Sequence, residues 1–197
     1  MNMNVVVNAE SKPAGRSRIH PQLFALWVAC ASIIMMFTAF TSAYIVRQAA
    51  GNWLEFRLPD LFYVNTGVIL VSSFTLQTSY INFKKGRKEA YRGFLLVSFL
   101  LGLTFLILQY LAWQSLAGIG VMLDGNPSGS FIYLISGVHA AHVLGGVAAL
   151  VVALIHAYSL PFKATPRRKV RFSLVLTFWH FVGFLWLYLL GFFTVTA

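Results

Sequence analysis

Five long apolar segments, separated by short polar stretches, dominate the pattern of the sequence. Each segment reaches the roughly 20 residues that an α-helix needs to cross a hydrocarbon layer of about 30 Å. All six prolines lie outside these segments or at their ends, where the missing backbone N–H costs little. The pattern therefore predicts an all-α, polytopic membrane protein whose five transmembrane helices lie at about residues 22–47, 61–83, 93–117, 131–160 and 172–196.

The composition supports this class and excludes others. Of the 197 residues 58% are hydrophobic and 10% are charged, and the mean hydropathy of +0.74 lies outside the range of soluble globular domains. Cys30 is the only cysteine, so the chain cannot form an internal disulfide or a thiolate metal site. We expect residues 1–21 to be a cytoplasmic N-terminal segment without a cleaved signal peptide, and residues 22–197 to form one transmembrane domain.

The basic residues alternate between the two sides of the predicted membrane. With the N-terminus in the cytoplasm, only Arg47 and Arg57 of the 15 lysines and arginines fall outside. This bias predicts an N-in, C-out topology and explains the net charge of +10 without a nucleic-acid partner. The residues on the cytoplasmic side are Lys12, Arg16, Arg18, Lys84, Lys85, Arg87, Lys88, Arg92, Lys163, Arg167, Arg168, Lys169 and Arg171.

Two histidines lie inside the fourth apolar segment. His139 and His142 are three residues apart, so a helix places them on the same face. Gly137, Gly145 and Gly146 lie nearby, and such small residues let a neighbouring helix approach closely. We therefore expect this face to point into the protein.

Polar residues in the second and third segments also predict contacts between helices. Asn65 and its uncharged polar neighbours must bond to the backbone or to another helix in lipid. In the third segment Gly102, Phe105 and Gln109 follow each other at spacings of three and four, so they share one face.

The histidines leave three interpretations open. They are hydrogen-bonded packing residues, or ligands of a metal or haem, or part of a transport path. His142 and His156 have the spacing that stacks two haems, but only His180 is available on a facing helix. A metal would lack carboxylate and thiolate ligands, and a transport path would lack charged residues inside the segments. His142 and His180 lie at similar depth, and we expect them to belong to one packed polar region.

The chain resembles subunit III of haem-copper respiratory oxidases in the five-helix bacterial form. The resemblance covers the chain from about residue 22 to its end. It rests above all on Gly137-x-His139-x-x-His142-Val143-x-x-Gly146 and on Trp179-His180-Phe181-Val182-x-x-x-Trp186-Leu187, with support from Asn65 and Gln109. The resemblance implies that the residues of the family motif have a structural role. These residues are His139, His142, Gly137, Gly146, Trp179, His180, Gln109 and Asn65.

The resemblance also implies a function. The chain would be an accessory subunit with no catalytic residue, metal or haem of its own, in the bacterial cytoplasmic membrane. It would pack against catalytic subunit I, stabilise it and support proton uptake, while partner subunits hold haem and copper and reduce dioxygen to water. Other oxidase subunits and a respiratory supercomplex are further expected partners. Phospholipid would lie in a cleft between two groups of helices, with headgroup contacts at His156, Arg47 and Trp53.

Three positions depart from the family pattern. Ile33 stands where many relatives carry a membrane glutamate, and Gly183 where an aspartate is common. His156 stands where relatives often have an arginine facing a headgroup, and we expect it to keep a weaker, pH-sensitive contact.

The alternative to an oxidase subunit III is a small membrane subunit of nitric oxide reductases, which shares the motifs. A membrane haem protein or a transporter is a more distant alternative. The electron donor, cytochrome c or quinol, stays open.

Overall fold

The computed structural model of the chain describes residues 20–162 and 165–196. Within these ranges the chain forms α-helices and no strands, and all five helices are long and apolar enough to cross a membrane. This confirms the predicted five-helix architecture. Most of the predicted N-terminal segment, with Lys12, Arg16 and Arg18, and also Lys163 lie outside the described residues. The helices are α1 Pro21–Ala49, α2 Leu61–Lys84, α3 Lys88–Gly118, α4 Pro127–Ser159 and α5 Pro166–Thr196.

Several helices begin earlier than their apolar segments. α3 begins at Lys88 rather than at about residue 93, α4 at Pro127 rather than at 131, and α5 at Pro166 rather than at 172. The prediction was short because hydropathy marks the part of a helix that suits hydrocarbon, whereas the backbone hydrogen bonds continue past it. Proline starts α1, α4 and α5, where its fixed φ suits the first helical turn and its missing N–H has no intrahelical partner to lose.

Four of the helices close into a ring. α2 packs against α3, α3 against α4, α4 against α5, and α5 returns to α2. In the described part of the chain α1 packs against α4 and α5 alone, so it lies outside this four-helix ring. The helices thus divide into four plus one. The cleft that would hold lipid between two groups, and the orientation in the membrane, stay predictions.

Side chains tie the helix ends together on both sides of the bundle. We call the side formed by residues 85–87, 160–162 and 165 the basic end, and the side formed by residues 50–60 and 119–126 the loop end. At the basic end Arg92 donates from Nε and Nη2 to the carbonyl of Ala157 at 2.9 and 2.6 Å, which satisfies an acceptor in the last turn of α4. At the loop end the side-chain oxygen of Asn126 accepts from Ser128 N at 3.0 Å and caps α4.

Candidate functional site

Trp179 of α5 fills the space between two glycines. A Cβ added at Gly102 would lie 2.7 Å from the Trp179 ring, and one added at Gly146 would lie 2.9 Å from it. The close approach predicted at Gly146 is therefore confirmed. Gly137 differs, because its added Cβ would meet only the Trp113 ring at 3.9 Å, an ordinary contact distance. At Gly145 the expectation is wrong, because an added Cβ there meets no atom within 4 Å.

Hydroxyl groups join α2 to its neighbours. Ser72 donates to the carbonyl of Ser98 on α3 at 3.0 Å and accepts from Nε1 of Trp179 at 3.2 Å. Thr75 lies 2.8 Å from the Ser98 hydroxyl, and Ser79 donates to the Tyr91 carbonyl at 2.9 Å. These bonds confirm that polar residues of the second segment bond to another helix or to the backbone, since Thr78 bonds to the Phe74 carbonyl of its own helix.

A second group of side chains from α2, α3, α4 and α5 meets inside the four-helix ring, and we call it the polar layer. The Asn65 amide donates from Nδ2 to Oε1 of Gln109 at 3.1 Å. Trp186 donates from Nε1 to the Thr66 hydroxyl at 2.9 Å, and its ring stacks on His139 with centroids 5.0 Å apart. All of these side chains are buried. The members are Asn65, Thr66, Gln109, His139 and Trp186.

His139 and His142 share a helix face, as the sequence predicts. Both rings contact Phe37 of α1, with centroids 6.4 and 5.8 Å away. His139 is completely buried, whereas His142 is half-buried and donates from Nδ1 to the Val138 carbonyl at 2.7 Å. The expected protein-facing surface is therefore confirmed, and His139 is its innermost member.

His142 and His180 do not share the polar region expected of them. His180 lies with Nε2 3.2 Å from Oε1 of Gln77 on α2, whereas the ring partner of His142 is Phe37 on α1. The expectation is corrected by these contacts. Similar depth does not place two side chains together, because α5 turns His180 toward α2 while α4 turns His142 toward α1.

The basic end contains a cavity of about 420 Å³ between α4 and α5. His156, Arg168 and Arg171 contribute polar groups to its wall. His156 donates from Nδ1 to the Val152 carbonyl at 2.7 Å, and Arg168 donates to the Pro161 carbonyl at 2.7 Å. The apolar part of the wall is formed by Phe83, Tyr91, Ala149, Val152, Ala153, Ala157, Leu160, Phe162, Phe172, Leu174 and Val175.

The other two predicted headgroup residues lie at the loop end. Arg47 donates to the Gly51 carbonyl at 3.0 Å, which stabilises the turn after α1. The Trp53 ring packs edge-to-face on Tyr44 with centroids 4.6 Å apart, and it also approaches Phe131. Both side chains thus have partners within the loop end, and their contact with lipid headgroups stays a prediction.

The two departures from the family pattern lie in packed surroundings. Ile33 is partly buried and packs against the core. A Cβ at Gly183 would lie 3.3 Å from the Ser73 hydroxyl, so the glycine lets α5 approach α2 closely. Among the described residues no group of three or more His, Cys, Asp or Glu could hold a metal ion.

Sequence analysis missed several residues that shape these sites. Ser98 lies between apolar neighbours in the third segment, and a polar side chain in such surroundings indicates a buried hydrogen bond. Phe37 gave no such signal, because it is one of many apolar residues in its segment. Arg168 and Arg171 were interpreted only as determinants of topology, and their place in the cavity wall follows from how α5 packs.

The sequence of the chain matches a known family over most of its length. A sequence model of cytochrome c oxidase subunit III matches residues 33–195. The chain belongs to the cytochrome c oxidase subunit III family. It is 31% identical over 162 residues to a probable cytochrome c oxidase subunit 3 of Mycobacterium tuberculosis, a match that covers 79% of this chain and 78% of that protein. The corresponding protein of Corynebacterium diphtheriae is 29% identical over 162 residues, with 78% of each chain covered.

A third relative is named as a subunit of a ubiquinol oxidase rather than of a cytochrome c oxidase. The cytochrome bo(3) ubiquinol oxidase subunit 3 of Buchnera aphidicola is 27% identical over 175 residues, covering 84% of this chain and 89% of that protein. These findings confirm the resemblance carried by the histidine and tryptophan motifs. As a member of the family, the chain is a multi-span helical membrane protein and a subunit of a respiratory oxidase complex.

Proposed function

We propose that this subunit III is an accessory subunit that packs against the catalytic subunit I of a proton-pumping terminal oxidase. It stabilises that subunit and supports its proton uptake, while haem and copper in partner subunits reduce dioxygen to water. The observation that carries the proposal is that the family-motif side chains serve packing within the chain. Trp179 fills the space beside Gly102 and Gly146, and His139 stacks on Trp186.

The complex is proposed to lie in a bacterial cytoplasmic membrane with the basic end of subunit III in the cytoplasm. Lysines and arginines gather at that end, as the positive-inside rule requires. Other oxidase subunits and a respiratory supercomplex are further proposed partners.

Purification of the native complex through a tag on this chain tests the proposal. We expect a haem-copper subunit I to copurify with the tagged chain and to give its haem absorption spectrum. Once it is dissociated from its partners, the chain should show no Soret band. A haem spectrum that stays with the isolated chain contradicts the accessory role.

An oxidase prepared without the chain should lose activity faster during turnover and take up protons more slowly. Equal rates with and without the chain contradict the support of proton uptake.

A phospholipid is the proposed ligand of the cavity at the basic end. The apolar wall suits acyl chains, and His156, Arg168 and Arg171 suit a phosphate. His156→Ala combined with Arg171→Gln should lower the phospholipid that copurifies with the complex, measured by mass spectrometry. Arg167→Gln is the matched control, because Arg167 is an exposed neighbour that does not line the cavity. Equal lipid content in the double variant and the control contradicts the assignment.

A further inference from the structure

The polar layer contains buried atoms whose hydrogen bonds are missing. Among the described residues, Oδ1 of Asn65, Nε2 of Gln109 and both ring nitrogens of His139 are buried without a hydrogen-bond partner. Buried polar groups in folded proteins are almost always paired with protein or with ordered water, since an unpaired group loses its solvation without compensation. Four such atoms from three neighbouring helices therefore require an explanation.

His139 differs from the other histidines of its own helix. His142 and His156 each donate from Nδ1 to the carbonyl four residues earlier, at 2.7 Å. The same solution is open to any histidine inside a helix, yet His139 does not use it. Its ring is turned instead toward Trp186 and Phe105, with centroids 5.0 and 5.9 Å away. The side chain therefore faces the interior of the four-helix ring, where a hydrogen-bonding partner is needed.

The register of α3 and α4 brings Gln109 to the depth of His139. Trp113 of α3 donates to the hydroxyl of Ser136 on α4 at 2.9 Å, and a Cβ added at Gly102 would lie 3.2 Å from Val147. These two pairs fix an antiparallel register in which Gln109, four residues before Trp113, lies opposite residue 140. Phe105 shares a face of α3 with Gln109, and its ring lies 5.9 Å from that of His139 between centroids, so this face points toward His139. Asn65 is bonded to Gln109, so the unpartnered atoms of all three side chains lie in one layer.

We propose that an internal water molecule occupies the polar layer and bridges His139 to the Asn65–Gln109 amide pair. A water has two donors and two acceptor sites. It can donate to Oδ1 of Asn65 and to the unprotonated nitrogen of His139, and it can accept from Nε2 of Gln109, which pairs three of the four atoms. Such a site has the three polar partners that buried waters typically have. This inference does not depend on the proposed role in the oxidase.

A rearrangement of the two amides is the competing explanation. A small rotation would let Gln109 Nε2 donate to Asn65 Oδ1, in addition to the bond of 3.1 Å already present. Both amides would then be satisfied without water. His139 would still lack a partner, so its ring nitrogens are where the two explanations differ.

Solid-state NMR of the ¹⁵N-histidine-labelled protein in lipid bilayers tests the proposal. We expect magnetisation transfer from a slowly exchanging water to a ring nitrogen of His139, identified by the signal that His139→Phe removes. Gln109→Leu should abolish the transfer because it removes the donor that holds the water. His142→Phe is the matched control, since that ring bonds to its own helix, and it should leave the His139 transfer intact.

In the NMR experiment two outcomes overturn the proposal: no water transfer to His139 in the wild-type protein, or transfer that is unchanged in Gln109→Leu. If His139→Phe does not fold, a high-resolution map of the wild-type complex replaces it. A density peak within hydrogen-bonding distance of both His139 and Gln109 supports the bridge, and its absence contradicts it.

Discussion

The first and last helices differ in how much of them the protein buries. In the most apolar stretch of α1 the mean hydropathy is 2.2 and 11% of the residues are buried, whereas in that of α5 the mean hydropathy is 1.8 and 39% of the residues are buried. The more apolar helix is therefore the more exposed one. In a membrane this is reasonable, because lipid is as apolar as a leucine side chain and hydrophobicity alone does not bring helices together.

Specific contacts bring α5 into the interior. Trp179 and Trp186 each donate a hydrogen bond to a hydroxyl of α2. α1 instead meets the rest of the protein along a narrow stripe, with bonds concentrated near the loop end. Tyr188 of α5 lies 2.9 Å from the Thr41 hydroxyl, and the Thr196 carbonyl accepts from Tyr44 at 3.2 Å. The difference shows that close packing and buried hydrogen bonds, rather than hydropathy, decide a helix's place in the bundle.

The largest effect is expected from Gly146→Val. The new side chain would collide with Trp179, since even a Cβ comes within 2.9 Å of that ring. Overpacking of this kind costs about 1–3 kcal/mol or more. We expect the free energy of unfolding, measured by titration with sodium dodecyl sulfate, to fall by at least about 3 kcal/mol, because the indole is fixed between two helices.

Gly145→Val is its matched control, because an added Cβ there meets no atom within 4 Å. It should change the unfolding free energy by less than about 0.5 kcal/mol, as surface substitutions usually do. Equal losses in the two variants would mean that the Trp179 contact does not govern the stability of this region.

A smaller effect is expected from Trp186→Phe. The substitution removes the donor to Thr66 and reduces the surface that stacks on His139. We expect a loss of about 2 kcal/mol in the same titration, because the Thr66 oxygen stays buried without its donor. Trp27→Phe in α1 is the control, since Trp27 is 61% exposed and should give almost no change. A similar loss in both variants would remove the distinction between α1 and α5.

The sequence predicted where each helix lies in the chain better than which helices pack against each other. Apolar length identified five spans, and the three-residue spacing placed His139 and His142 on one buried face. The expectation that His142 and His180 share one polar region was wrong. Depth along a helix can be counted from sequence, whereas the direction of a side chain depends on which helix lies beside it. For the same reason the position of α1 outside the four-helix ring was not predicted, because no sequence feature of α1 indicates which helices it packs against.

The smallest effect is expected where α1 meets α5. Thr41→Val removes the hydroxyl that lies 2.9 Å from Tyr188, and Thr38→Val removes one that bonds only to the Ile34 carbonyl of its own helix. Hydrogen bonds between membrane helices contribute about 0.6 kcal/mol on average, so Thr41→Val should cost about that much and Thr38→Val less. Cysteine pairs that bridge α1 and α5 near the loop end should also crosslink more slowly in Thr41→Val. If the two variants behave alike, the hydrogen bond between Thr41 and Tyr188 does not help to hold α1 against α5.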